Sequence, residues 1–283
     1  MRHPRLTESP GAAGAADLPP LVAVAHGSRD PRAAATVGEL LAVARSRAAA
    51  RGLAGVDIRA AFLDHCAPSL PQALSAVADR GGCVVVPLLL SDAYHSKSDI
   101  PAQLAAARQD VSCAETLGPH PLLLDALERR LTEAGVAVGD RAARARTSVV
   151  LAAAGSSDRA ANATVAAVAA RWQARGGWRA VVPAYASAAG PRPDEAVGAL
   201  RAGAREDGHH GPVVVATYLL APGHFADKVR DAALSAGASA VSPALGAAPE
   251  VAGVIVERYL AAASAELSGP LVARAQLSRT DPW

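Results

Sequence analysis

Short apolar runs alternate with longer alanine-rich stretches along this chain. Runs such as LVAVA (21–25) and CVVVPLLL (83–90) are bounded by glycine and polar residues, and a stretch with helical character, TVGELLAVARSRAAARG (36–52), follows the first of them. Such alternation is typical of βαβ units, in which helices connect parallel strands. We therefore expect an α/β fold built on parallel sheets flanked by helices.

The sequence contains an internal repeat of this pattern. Four blocks of the first half match four blocks of the second half in the same order: VAVAHGSRDPRAA (22–34) with VLAAAGSSDRAAN (150–162), AFLDHCAPSLPQAL (61–74) with AYASAAGPRPDEAV (184–197), GGCVVVPLLLSDAYH (81–95) with GPVVVATYLLAPGH (211–224), and LGPHPLLLDALERRL (117–131) with LGAAPEVAGVIVERYL (245–260). This order predicts two similar domains that arose by internal duplication. We place them at residues 20–140 and 145–265, with the junction near residue 143.

Composition narrows the class of partner. The formal net charge is only +2 and no lysine- or arginine-rich block occurs, so neither a nucleic acid nor a membrane surface is an expected partner. The three cysteines are widely spaced and form no CxxC, which argues against a disulfide framework or a cysteine metal site. The longest apolar run is too short to cross a bilayer and residues 1–20 lack the apolar core of a signal peptide, so we expect a cytoplasmic protein that binds a small molecule.

Histidines stand at the ends of two predicted strands. His26 directly follows LVAVA, and His95 follows CVVVPLLL after the short segment SDAY. Because ligands bind at the carboxyl ends of parallel strands, we expect both imidazoles to line one cleft. The polar residues next to them are Ser28, Arg29, Lys97 and Asp99.

Two imidazoles without cysteines suit borderline divalent ions such as Fe²⁺, Co²⁺, Ni²⁺ and Zn²⁺, and can also accept protons near neutral pH. No HExxH motif occurs, so we expect the metal to be held in passing and not permanently. Two other chemistries stay open. HGSRD could bind a phosphate at a helix N-terminus, and Ser28 or Ser156 could be a nucleophile, although the chain has no GxSxG at either position.

Other polar residues have plausible structural roles. We expect His65 and His120 to lie in turns near the cleft as structural residues. Glu115 is either a solvated loop carboxylate, which we favour, or an acidic group near the entry path of the metal. Asp99 either orients His95 through a hydrogen bond or caps the following helix, which begins at Ile100 and Pro101.

Four segments together resemble the CbiX/SirB group of sirohydrochlorin chelatases: HGSRDPR, AFLDHCAPSL, VVVPLLLSDAYHSKSDIP and LGPHP. The resemblance covers residues 20–135 well and continues more weakly to about residue 262. It implies ATP-independent insertion of Co²⁺ or Fe²⁺ into sirohydrochlorin or a related tetrapyrrole, on the way to cobalamin or sirohaem, with the metal as substrate and no permanent cofactor. It also implies two chelatase-like domains that face each other across a cleft.

The same resemblance assigns the metal-binding role to His26 and His95. In the second copy Ala154 replaces His26, whereas His224 aligns with His95, so we expect a single active centre in the N-terminal domain.

The substrate class carries many carboxylates at its edge, which Ser28, Arg29, Arg32 and Lys97 are expected to bind. Since only 3% of residues are aromatic, we expect the flat faces of the macrocycle to rest on aliphatic side chains. The second copy stands where a twin subunit would otherwise pair, which favours a monomer. A carrier or sensor that binds metal or tetrapyrrole without turnover is the alternative function.

Overall fold

The first half of the chain forms a four-stranded parallel sheet. The computed structural model describes residues 18–91, 99–107, 110–208 and 210–268. The elements of this half are β1 (Leu21–Ala25), α1 (Pro31–Ala50), β2 (Ile58–Phe62), α2 (Leu70–Ser75), a 3-10 turn (Ala78–Arg80), β3 (Cys83–Pro87), α3 (Ile100–Ala105), β4 (Val111–Cys113) and α4 (Pro121–Glu133). The strand order is β2-β1-β3-β4, and every neighbouring pair is parallel.

The second half repeats this architecture. Its elements are α5 (Arg141–Arg146), β5 (Ser148–Ala153), α6 (Arg159–Gly176), β6 (Ala180–Tyr185), α7 (Pro193–Glu206), β7 (Val213–Tyr218), α8 (His224–Ser235), β8 (Ala240–Val241) and α9 (Pro249–Ser268). The strand order β6-β5-β7-β8 is that of the first sheet, again with parallel pairs throughout. The predicted α/β class and the duplication are confirmed.

The central strands are apolar on both faces because both faces are covered. In β1, Leu21, Ala23 and Ala25 belong to a large core cluster, whereas Val22 and Val24 pack on the opposite face with α2 and α3 residues. β5 behaves in the same way. The large cluster includes the inner faces of both sheets, so the two halves share one core.

One helix from each half packs against the other half and completes the shared core. α9, from the second half, packs against α1, α4, β3 and β4 of the first, and α4 of the first half packs against β7 of the second. Arg130 of α4 donates through Nε to the carbonyl of Leu245 at 2.9 Å, and Arg258 of α9 donates to the carbonyl of Thr116 at 2.9 Å. These reciprocal contacts resemble those of a two-fold dimer, and they fix the two sheets relative to each other.

The stretch between the copies is itself structured. It contains the short helix α5, and Arg144 of that helix forms an ion pair with Glu128 of α4 at 2.7 Å. Arg144 also donates to the carbonyl of Gly176 at 3.0 Å. The proposed boundaries at 140 and 145 stay predictions. Within the described ranges, no helix combines the length and apolarity needed to span a bilayer.

Candidate functional site

The loop after β1 exposes His26 at the carboxyl end of the strand. Gly27 has φ +94°, and a Cβ at this position would lie 1.8 Å from the carbonyl oxygen of Asp64, so the close approach of the two loops requires glycine. Ser28 Oγ then accepts a hydrogen bond from the amide of Asp30 at 3.1 Å. The Asp30 carboxylate caps α1 by accepting from the amide of Arg32 at 2.9 Å.

The second copy reproduces this loop without the imidazole. Gly155 has φ +82° and approaches the carbonyl of Ser187, Ser156 Oγ accepts from the amide of Asp158, and Asp158 caps α6. The glycine, serine and aspartate of the motif are therefore structural in both copies. The positions that differ between the copies are His26, Arg29, Pro31 and Arg32, which are Ala154, Ser157, Arg159 and Ala160 in the second copy.

A cleft of about 480 Å³ opens in front of His26, between the two halves. The first half lines it with the loop after β1 and with residues at the ends of β2 and β3, and the second half lines it with residues 219–226, which form the loop after β7 and the first turn of α8. Both linings lie at the carboxyl ends of parallel strands, where α/β proteins bind ligands. The lining side chains from the first half include Val37, Phe62, Leu88 and Leu89, and those from the second half include Leu219, Leu220, Pro222, His224 and Phe225.

A second hollow, of about 330 Å³, lies on another side of His26. Asp64, Asp99 and Gln103 line it together with His26. Sequence reasoning did not single out Asp64, although its place directly after β2, the neighbour of β1, is a signal that could have found it. Asp99 makes no capping hydrogen bond to α3, so the capping alternative is not supported. His26 thus lies between a largely apolar cleft and a hollow with two carboxylates.

His65 also lines the cleft, although we expected a structural residue. Its backbone lies in the left-handed region with φ +62°, its amide donates to Asp64 Oδ1 at 2.8 Å, and its Nε2 lies 3.2 Å from Asp64 Oδ2. Ala188, the equivalent residue of the second copy, has a similar φ of +58°. The backbone conformation therefore belongs to the repeated fold, and only the imidazole is particular to the first copy.

The predicted cations differ in their surroundings. Arg29 lines the cleft and makes no ion pair with any residue that the structure describes. Arg32, by contrast, contacts Asp30 and, across the boundary between the halves, Asp227 of α8, each at 2.6 Å. Hydrogen bonds from Arg32 lower the pKa of both carboxyl groups. His95 and Lys97 lie outside the described residues, so the predicted pairing of His26 with His95 stays a prediction.

Two other residues are held in contacts between the halves. Glu115 pairs with Arg258 of α9. His120 caps α4, because its Nδ1 accepts from the amide of Leu122 at 3.2 Å, and its Nε2 lies 3.3 Å from Glu257. Burial lowers the pKa of His120. Both residues act as structural contacts in the described part of the chain.

Across the described ranges, no group of three or more His, Cys, Asp and Glu side chains is close enough to hold a metal ion. His26 therefore presents an imidazole to the cleft without a complete ligand set from those ranges.

The repeated fold and the composite cleft define a duplicated α/β protein with a cleft between its halves, at the carboxyl ends of strands from both sheets. A family model described as CbiX matches residues 20–134 and again residues 148–262. This chain belongs to the CbiX family.

Three similar proteins share 19–28% of their residues with this chain where they align. A curated sirohydrochlorin ferrochelatase of Priestia megaterium is 28% identical over 137 residues, which cover 46% of this chain and 50% of the relative, so the match spans about half the length of that protein. The solved structure of SirB from Bacillus subtilis with Fe³⁺ superposes with a TM-score of 0.73 at 23% identity, over 89% of this chain and 98% of that one. The structure of CbiX, the terminal enzyme for biosynthesis of siroheme in denitrifying bacteria, gives 0.56 at 19% identity, over 86% and 99%. Both similarities show a shared fold.

Proposed function

We propose that this protein inserts a divalent metal ion, Co²⁺ or Fe²⁺, into sirohydrochlorin or a closely related tetrapyrrole, without ATP, in the cleft between its halves. The observation that carries the proposal is the position of His26, which is exposed between an apolar cleft and a hollow bearing Asp64 and Asp99. Membership of the CbiX family and the ferrochelatase activity named for the Priestia megaterium relative support it.

His26 has two tasks in this reaction. Insertion replaces the two pyrrole N–H protons of the macrocycle by one M²⁺ ion, so two protons leave for each metal that enters. The His26 imidazole binds the incoming ion in place of water. As the ion passes to the ring nitrogens, the freed imidazole accepts one of the two pyrrole protons and the other passes to water. General-base assistance of this kind contributes about 10² to 10⁴ in rate. We assign the second imidazole to His95, on the resemblance given above.

Carboxylates next to His26 serve the ion before insertion. Asp64 and Asp99 line the hollow on one side of His26, and their negative charge attracts a hydrated cation towards the imidazole. The largely apolar cleft accommodates the uncharged faces of the macrocycle. Metal and tetrapyrrole thus approach His26 from different hollows.

Cations and a hydroxyl at the cleft bind the carboxylates at the edge of the substrate. Arg29 is the residue best placed for this, because it lines the cleft and has no ion pair within the described ranges. Ser28 also lines the cleft, and its Oγ accepts from Asp30, which leaves its O–H to donate. We keep Arg32 and Lys97 as further substrate-binding residues; Arg32 keeps its ion pair with Asp227 and offers its remaining N–H groups to a substrate carboxylate.

The biological setting is part of the same proposal. We place the reaction in the cytoplasm, in the biosynthesis of cobalamin or sirohaem, with no permanent cofactor and no nucleic-acid or membrane partner. The second half occupies the position of a partner subunit, which supports a monomer.

Anaerobic mixing of the protein with sirohydrochlorin and either Co²⁺ or Fe²⁺ tests the proposal by the change in the absorption spectrum of the macrocycle. We expect insertion far faster than the spontaneous reaction, and a loss of about 10² to 10⁴ in kcat for His26→Ala. His210→Ala, which changes an exposed imidazole outside the cleft, is the matched control and retains full activity. Stoichiometric binding of metal or macrocycle without acceleration would instead identify a carrier or sensor.

A further inference from the structure

Two large apolar side chains are exposed among the described residues, and both lie on α8. Phe225 is 42% exposed and Leu234 is 48% exposed. Phe225 lies in the first turn of the helix and lines the cleft, whereas Leu234 lies near the other end of the helix and does not. An exposed phenyl ring inside a cleft indicates contact with a ligand, whereas a single exposed leucine on an outer surface is common and needs no such explanation.

Both phenylalanines of the chain, Phe62 and Phe225, line the cleft. Phe62 is buried at the end of β2 and supports the floor, whereas Phe225 presents its ring to the open space. The expectation of purely aliphatic walls is therefore incomplete, because few aromatic residues in the chain does not mean few in the cleft.

The surroundings of Phe225 suit the face of a flat ring. Residues 219–222 of the same wall are Leu, Leu, Ala and Pro, which offer no side-chain hydrogen bonds. The ring of Phe225 lies 5.7 Å from that of His224, with a tilt of 50° between their planes. The cation available to a carboxylate, Arg29, belongs to the opposite wall, in the first half. The second half therefore offers an apolar surface to the face of a flat macrocycle, and the first half offers a cation to the carboxylates at its edge.

Contacts between the halves hold this wall opposite His26. Asp227, two residues after Phe225, pairs with Arg32 of the first half at 2.6 Å. Gly223 lies against Asp30 of the first half, where a Cβ would contact the Asp30 side chain at 3.8 Å. The first turn of α8 is thus fixed to the helix that follows the His26 loop, so the distance between Phe225 and His26 is set by the packing of the two halves.

We propose that Phe225 is the residue on which one face of the tetrapyrrole stacks, and that this stacking contributes affinity for the macrocycle in the cleft that His26 lines. This inference rests on the function proposed above. Aromatic rings stack on flat π systems in offset geometry, and the attraction exceeds what buried area alone contributes. The second half, which lacks an equivalent of His26, thereby keeps a role in substrate binding.

Sirohydrochlorin binding and turnover in three variants test this role. Phe225→Ala weakens the Kd for metal-free sirohydrochlorin about tenfold, equivalent to about 1.4 kcal/mol, and raises KM for the macrocycle by a similar factor. The kcat at saturating macrocycle changes much less, because the metal-handling imidazole is intact. Phe225→Tyr restores binding, since a phenol ring also stacks. Leu234→Ala, which removes an equally exposed apolar side chain from the same helix, leaves both constants unchanged.

The outcomes separate the two proposals. If the wild-type protein accelerates insertion but Phe225→Ala behaves like Leu234→Ala, the stacking role is wrong and the chelatase function stands. A fall in kcat with an unchanged KM in Phe225→Ala also contradicts it. If the wild-type protein neither binds sirohydrochlorin nor accelerates insertion, both proposals fail together. Because Phe225 is exposed, the melting temperature of Phe225→Ala should equal that of Leu234→Ala, which excludes unfolding as the cause of weaker binding.

Discussion

Replacing Gly27 by alanine tests whether the loop after β1 must hold its present shape for the site to work. The new methyl group would lie 1.8 Å from the carbonyl oxygen of Asp64, whereas side-chain Cβ atoms essentially never come within 3.0 Å of such an atom. The loop that carries His26 and the loop that carries Asp64 must therefore separate by more than an ångström. The hydrogen bond from the Asp64 amide to the His26 carbonyl, at 2.9 Å, would be broken or lengthened.

The expected cost has two parts. A non-glycine residue in the left-handed region costs roughly 1–2 kcal/mol, and the loss of one hydrogen bond costs about 0.5–1.5 kcal/mol. Together they predict a loss of about 1.5–3.5 kcal/mol in the free energy of unfolding, which lowers Tm by roughly 3–6 °C for a chain of this size. Displacement of a catalytic group by about 1 Å can reduce the rate about 10²-fold, so we expect a loss of that order in kcat/KM.

The second copy supplies a matched control. Gly155 has the same left-handed backbone, and its Cβ would lie 2.0 Å from the carbonyl oxygen of Ser187. Gly155→Ala should therefore destabilise the protein as much as Gly27→Ala in urea titrations, yet retain most of the chelatase activity at a temperature where both variants are folded. Equal losses of activity in the two variants would refute the assignment of the active loop to the first copy. Unchanged stability in both would refute the steric argument.

Three further predictions concern contacts around the cleft. Arg29→Ala should raise KM for sirohydrochlorin several-fold in steady-state kinetics without lowering Tm. Arg32→Ala should lower Tm in calorimetry, because it breaks the ion pair with Asp227 across the halves. Because Arg32 lowers the pKa of Asp227, the stability that this pair contributes is present above the ordinary carboxyl pKa of 3.8 and is lost as the pH falls below that value. The Tm difference between wild type and Asp227→Asn should therefore stay constant from pH 7 to pH 4 and shrink only at lower pH. Tyr218→Phe removes a 3.0 Å hydrogen bond to the Leu90 carbonyl across the halves, and Tyr185→Phe removes a 2.9 Å hydrogen bond within the second half. Each substitution should lower the free energy of unfolding by about 1 kcal/mol in urea denaturation. Only Tyr218→Phe should also reduce activity, and equal activities of the two variants would contradict a link between this contact and the site.

Much of the fold was readable from the hydrophobic pattern. Strands buried on both faces, such as β1 and β3, give unbroken apolar runs, and the repeat of these runs in the same order predicted two equivalent parallel sheets. The exchange of α4 and α9 between the halves was not predicted. Their amphipathic patterns show that one face is buried, but not which sheet covers it, since any apolar surface of suitable shape satisfies the same pattern.

The residues of the candidate site also differ in whether the sequence alone predicts their role. The position of His26 follows from its place directly after an apolar run, because the carboxyl ends of parallel strands form the ligand edge whatever the packing of the helices. Arg29 and Arg32 are only three residues apart and looked alike in sequence, yet one lines the cleft and the other forms an ion pair with Asp227. That difference depends on where α8 of the other half lies.

The sequence alone determined the fold class, the duplication and the strand end at which chemistry is expected, because these depend on local periodicity and on the order of elements. Only the tertiary structure decided that Asp64 and His65 flank His26 and that Phe225 of the second half closes the cleft. Such contacts join residues far apart in the chain, and they exist because the two sheets share one core and hold their loops face to face.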